Sequence, residues 1–174
     1  MIILKLLVKI IKILQSEISP SQIAGGIVLG MILGLTPFWS LHNLIVILII
    51  IVVAVNISMM LLSFAFFSGV AYLLDPLFHS LGYYFLVDVP SLKPLWTAIV
   101  NSPILALSNL NNTVTLGSLL VSLLLVIPVF FLSKKGVLFY RKHLAEKVKK
   151  MKISRIVTGS KIFNMYQKFK LLGD

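Results

Sequence analysis

Apolar residues fill this chain in long runs, and the few polar breaks between them define its elements. Residues 1–18 read MIILKLLVKIIKILQSEI, with Lys5, Lys9, Lys12 and Ser16 recurring along one helical stripe. Ile, Leu and Val occupy the other faces, which predicts a basic amphipathic helix lying in the headgroup plane. Ser19-Pro20-Ser21 then restarts the chain. Ser19 can cap a helix, and proline suits a first turn. The next apolar run, 22–35, carries Gly25, Gly26, Gly30 and Gly34. Thr36-Pro37-Phe38-Trp39-Ser40 makes a turn, and 44–55 is a second run dense in Ile and Val. Such residues favour strands in water, but in lipid a lone strand leaves its backbone unpaired, so helix is expected. Each arm is short: about 14 residues reach ~21 Å, against a hydrocarbon core of about 30 Å. Residues 19–56 therefore read as a glycine-rich helical hairpin, either re-entrant or crossing a thinned bilayer. Pro37, Trp39, His42 and Asn43 lie at its tip, and Asn56 at its end.

Residues 57–75 are long enough for one full crossing, which Asp75-Pro76 is expected to end. Residues 76–113 hold Pro76, Pro90, Pro94 and Pro103, together with Trp96 and several Asn and Tyr. They read as a non-cytoplasmic loop with interfacial helices. Residues 114–133 return the chain, with a kink expected at Pro128 and a stop at Lys134-Lys135. Residues 134–174 are a basic cytoplasmic tail in which Val137, Tyr140, Leu144, Val148 and Met151 keep helical spacing. The fold class is an all-α membrane protein with a surface helix, a short hairpin, two full crossings and a tail.

Composition agrees with the pattern. The chain is 59% hydrophobic and 12% charged, with no cysteine. Soluble domains carry about 25% charged residues. Of 16 Lys and Arg, 12 fall between Lys134 and Lys170, and Lys93 is the lone one between Ile13 and Ser133. Both ends are basic and the middle is not, so the positive-inside rule assigns both termini to the cytoplasm. The missing cysteine removes thiolate catalysis and disulfides.

Candidate chemistry is sparse. Gly26, Gly30 and Gly34 share one helical face, a docking surface either for a partner's helix or for this chain's own second arm. Asp75 and His79 stand i, i+4 at a membrane boundary, with Asp88 and Lys93 nearby. They fit a helix end better than a proton relay or metal site. His42 and Asn43 suit either a polar pocket or a wetted interface. Asn56 and Ser58 either bridge helices or form a surface turn. Lys134, Lys135, Arg141 and Lys142 are expected to meet anionic lipid headgroups. In the tail, Phe163, Tyr166 and Phe169 interleave with Lys161, Lys168 and Lys170, but no nucleic-acid recognition motif is present. Phosphate loops, zinc-protease and hydrolase motifs are absent, so no cofactor, metal or catalytic residue is expected.

Ser19-Pro20, Ile23-Ala24-Gly25-Gly26, then Gly30, Gly34 and Pro37, with an apolar helix ending at Asn56, resembles the signature of DUF2062. That is a family of small bacterial integral membrane proteins with a domain of unknown function. The resemblance covers about residues 19–75. One departure is that Phe67-Ser68-Gly69 stands where many members carry Asn-Pro. The resemblance implies a bacterial inner membrane. Similarity to a closer subgroup, from bacteria with outer membranes, implies a large envelope partner. The expected function is therefore an integral subunit that docks a larger envelope protein's membrane helix. The glycine face and the outer-loop residues Asp75, His79, Asp88 and Trp96 would make the contact, and phospholipid transport between membranes is the expected setting. The alternative is a small homo-oligomeric channel or transporter with Asn56, Ser58 and Ser63 lining the path.

Overall fold

The computed structural model describes residues 2–146, and the side chains there except those of residues 2–5 and 8. The tail beyond residue 146, with Val148, Met151 and the lysines and aromatics from Lys161 to Lys170, lies outside the described residues. The elements are α1 (Ile2–Gln15), α2 (Pro20–Leu35), α3 (Leu41–Val52), α4 (Ile57–Tyr83), α5 (Lys93–Asn101) and α6 (Thr113–Phe139). Short π-helical turns, Tyr84–Asp88 and Tyr140–Leu144, follow α4 and α6, and 3₁₀ turns cover Pro90–Leu92 and Leu105–Ser108. The described residues contain no strand.

The chain forms two compact units, Ile18–Lys134 and a second unit made from its two ends. In the second, Ile13 of α1 and Val137 are buried. Arg141 Nε donates to the Leu14 carbonyl at 2.9 Å, and Gln15 Nε2 donates to the Tyr140 hydroxyl at 3.2 Å. The last carbonyls of a helix lack intrahelical partners and carry its negative dipole end. A guanidinium is suited to both. Arg141, expected at lipid headgroups, thus uses this nitrogen to cap α1.

In the larger unit, α2 begins with a reciprocal cap. Ser19 Oγ accepts from the Gln22 amide at 3.1 Å, and Gln22 Oε1 accepts from the Ser19 amide at 3.2 Å. Two orphan donors are satisfied together, with Pro20 pre-set in the first turn. The chain turns at residues 36–40, runs back as α3, and passes through an extended segment to Asn56. There the Asn56 amide donates to the Gln22 carbonyl at 3.0 Å, which closes the base of the hairpin. Asn56 Oδ1 then caps α4 by accepting from the Met59 amide at 2.8 Å.

Two helices overrun their expected ends. α4 continues through Asp75-Pro76 to Tyr83, and α6 continues through Pro128 and Lys134-Lys135 to Phe139. Proline removes one ladder hydrogen bond, but long apolar helices carry such interruptions where neighbouring helices support them. Lysine is a good helix former, so a lysine pair marks the end of the apolar stretch rather than of the helix. Both spans are apolar enough and long enough to cross a membrane.

The apolar contacts of this unit gather on α2. Val28, Ile32, Leu33, Val46 and Met60 form one buried cluster, flanked by Ile47, Ile50, Phe64 and Phe130. Met31, Leu35 and Phe78 form another, flanked by Leu74, Val121, Leu125 and Val129. α2 is thus the central helix, with α3, α4 and α6 around it.

Candidate functional site

The glycine ladder faces α4. A Cβ on Gly26 would stand 2.5 Å from the Asn56 carbonyl oxygen. One on Gly30 would collide with the Met60 carbonyl and stand 2.8 Å from Ser63 Cβ. One on Gly34 would meet the Phe64 carbonyl at 2.7 Å and Phe67 Cβ at 2.9 Å. Successive glycines thus meet successive turns of α4 in ascending order, so α2 and α4 run parallel at backbone contact. Ser63 Oγ ties the pair by donating to the Ile27 carbonyl at 2.6 Å. Gly25 faces Val55 Cγ1 at 3.1 Å, against the extended return segment.

The helix on the ladder is neither the hairpin's second arm nor a partner's. The second arm, α3, exposes Leu44, Ile45, Leu48, Ile51 and Val52. Its bulky side chains could not approach a glycine face as closely as Asn56, Met60 and Ser63 do. Two of the three polar residues expected to line a channel form hydrogen bonds within the chain: Asn56 as a cap and hairpin closure, Ser63 on α2.

The hairpin tip is held by Asn43, which is 1% exposed. Its Oδ1 accepts from Thr36 Oγ1 at 2.9 Å, and its Nδ2 donates to the Pro37 and Phe38 carbonyls at 2.9 and 3.3 Å. Thr36 Oγ1 also lies 2.7 Å from the Ile32 carbonyl. Asn43 therefore closes the turn as an internal clamp. Beside it, His42 keeps both ring nitrogens buried with no hydrogen-bonding group in contact. Trp39 is 86% exposed and, with Phe38, Leu44, Ile47 and Leu107, lines an open apolar groove of about 350 Å³.

Sequence reasoning missed a second glycine contact. A Cβ on Gly82 would collide with the Thr113 carbonyl, and one on Gly117 with the Phe78 carbonyl. α4 and α6 therefore cross antiparallel at backbone contact. The available signal was two glycines inside each long apolar helix, of which Gly69 and Gly136 have open space around them. At this crossing His79 Nδ1 pairs with Thr113 Oγ1 at 2.7 Å. Asp88 is exposed in the π turn, and Trp96 Nε1 donates to the Phe85 carbonyl at 2.8 Å, which holds that turn against α5. Lys135 and Lys142 are exposed and Lys134 half-buried. Among the described residues no group of three or more His, Asp or Glu side chains could hold a metal ion.

These features define an all-helical protein with a glycine-packed helix core and two helices able to cross a membrane. The chain belongs to the family described as "Uncharacterized protein conserved in bacteria (DUF2062)", which matches residues 6–146. It is also similar to an uncharacterized protein of Treponema pallidum (strain Nichols), 28% identical over 145 residues, 83% of this chain and 89% of that protein. No solved structure matches it.

Proposed function

We propose that this chain is an integral inner-membrane subunit of the bacterial envelope, with both basic ends in the cytoplasm. In this reading the α2–α3 hairpin is re-entrant. The observation that carries it is where the apolar side chains point. In the most apolar stretch of α4 only 11% of residues are buried inside the protein, and for α6 28%. A core helix of a soluble protein would be mostly enclosed, whereas lipid-facing helices need not be.

The subunit contacts a larger envelope partner through the exposed side of α3 and through the outer loop. The glycine face is already filled by α4, so it supports the docking surface without forming it. Lipid handling fits the same geometry. α2 has 16 residues, about 24 Å, which falls short of a hydrocarbon core of about 30 Å. A wedge of that length leaves lipid packing above its tip disturbed.

The test is affinity purification of the full chain from native membranes. The expected result is a larger envelope protein recovered in fixed ratio, lost on Leu48→Lys in α3 and kept on Gly69→Ala, whose site is open. Recovery of this chain alone, or of a partner indifferent to Leu48→Lys, would overturn the docking surface.

A further inference from the structure

Charge divides along the same line as the fold. Residues 1–17 and 135–174, which make the second unit, hold 14 of the 16 Lys and Arg and three of the five acidic residues. Residues 18–134 hold the other two of each, Lys93 and Lys134 against Asp75 and Asp88. The larger unit is therefore formally neutral, and the whole +11 of the protein sits on the second. Among the described residues of the second unit, six Lys and Arg stand against Glu17 and Glu146.

The contacts that close this unit draw its cations together. α1 is held through its last turn, where Ile13 is buried and Leu14 and Gln15 bond to Arg141 and Tyr140. Lys12 lies in that same turn, and Lys142 follows Arg141. Like charges gathered in a compact unit repel one another. Further up α1, Leu6, Leu7 and Lys9 are exposed. Leu7 continues with Ile10 and Leu14 at helical spacing, and Lys9 with Lys5 and Lys12. An apolar stripe and a cationic stripe thus run along one helix of 14 residues, a length that is marginal in water on its own. A nucleic acid would engage the lysines and leave the leucines in water. An anionic leaflet takes both, with headgroups against the lysines and the acyl boundary against the leucines. The second piece of the unit also starts at Lys135, in the last turns of α6, where the apolar span gives way to charge.

We propose that α1 and residues 135–146 form a clasp that closes on anionic phospholipid. α1 lies along the leaflet, and the lipid charge offsets the repulsion between Lys12 and the Arg141-Lys142 pair. The closed clasp therefore binds anionic lipid more tightly than the open one and is stabilised by it. The clasp rests on the membrane reading above, which sets this unit at the bilayer surface.

The full chain has no cysteine, so Leu7→Cys carries a single environment-sensitive fluorophore at an exposed position. The labelled protein is reconstituted in vesicles of phosphatidylcholine alone or of an equimolar mixture with phosphatidylglycerol. In the mixture the emission should be blue-shifted and amide exchange at Ile13–Gln15 slow. In phosphatidylcholine the label should report water and the exchange should quicken. Lys9→Gln and Lys142→Gln should each move the equilibrium in the mixture toward the open form by roughly fivefold, the weight of one surface lysine. Salt at about 1 M, with a screening length of ~3 Å, should open the wild-type clasp in the same way. Equal emission and exchange in the two vesicles overturns the clasp. Protection in phosphatidylcholine by added RNA alone overturns it too, and assigns the surface to nucleic acid. Carbonate extraction separates the readings: protein that washes off vesicles refutes the membrane reading, while inserted protein indifferent to lipid charge refutes the clasp alone.

Discussion

At the residue scale, close approach of backbones organises the molecule. Gly26, Gly30 and Gly34 were visible as a ladder in the sequence, because a spacing of four keeps residues on one helix face. Which helix covers them was not visible. The nearest candidate in sequence was the adjacent arm, but α4 presents Asn56, Met60 and Phe64 at the same spacing of four, in parallel. Only a connection through α3 permits that pairing. Adding one methyl should therefore separate glycines by their surroundings. Gly30→Ala should lower stability by roughly 1–3 kcal/mol, the usual cost of overpacking. Gly69→Ala, with nothing within 4 Å of the added atom, should stay within about 0.5 kcal/mol. Thermal unfolding in detergent micelles reads both, and equal losses would show that the ladder is not in contact. Asn43→Ala should cost about 1–3 kcal/mol, since it strips partners from Thr36 Oγ1 and two carbonyls of the turn. Faster hydrogen exchange confined to the tip would locate the loss.

At the element scale, helix starts were easier to read than helix ends. Ser19 announces α2 because capping is local chemistry, and the structure adds Gln22 as its reciprocal partner. The expected stops at Pro76 and Lys134 failed for the opposite reason. Proline removes a single ladder hydrogen bond and lysine is itself a good helix former, so neither residue ends its helix. Asn56 looked like a break between runs, and it is one, but it also starts α4. Asn56→Ala should weaken α4's first turn by about 1 kcal/mol, as lost caps do. Its backbone bond to Gln22 would survive, so the loss should fall short of that in Gly30→Ala. At the other unit, Arg141→Gln removes the guanidinium from the α1 carbonyls. Amide exchange at Ile13–Gln15 should then accelerate while α2 amides keep their rates. Unchanged exchange at α1 would mean the cap contributes nothing.

At the scale of the whole molecule, two long helices and two short ones imply different depths. The sequence showed that the hairpin arms were short, but not whether they crossed. Within the unit from Ile18 to Lys134 Gly34 lies level with Phe67 and Ser68 on α4, Leu35 packs with Phe78, and Asn109, just before α6, reaches the Trp39 carbonyl beyond them. That loop was legible only as polar and proline-rich. Its contact with the tip runs through Asn109, a bond between residues 70 apart that no local pattern reports. The central claim is that the hairpin enters and leaves on one side, with Trp39 inside the bilayer. The chain has 2 tryptophans, so Trp96→Phe leaves Trp39 as the only one. Fluorescence quenching by lipids brominated at graded positions along the acyl chain then measures its depth in liposomes. A re-entrant hairpin predicts strongest quenching by bromines within the acyl chains, since α2's ~24 Å stops Trp39 short of the far headgroups. Strongest quenching near the headgroups would mean that both arms cross, and no quenching at any depth would place Trp39 outside the membrane.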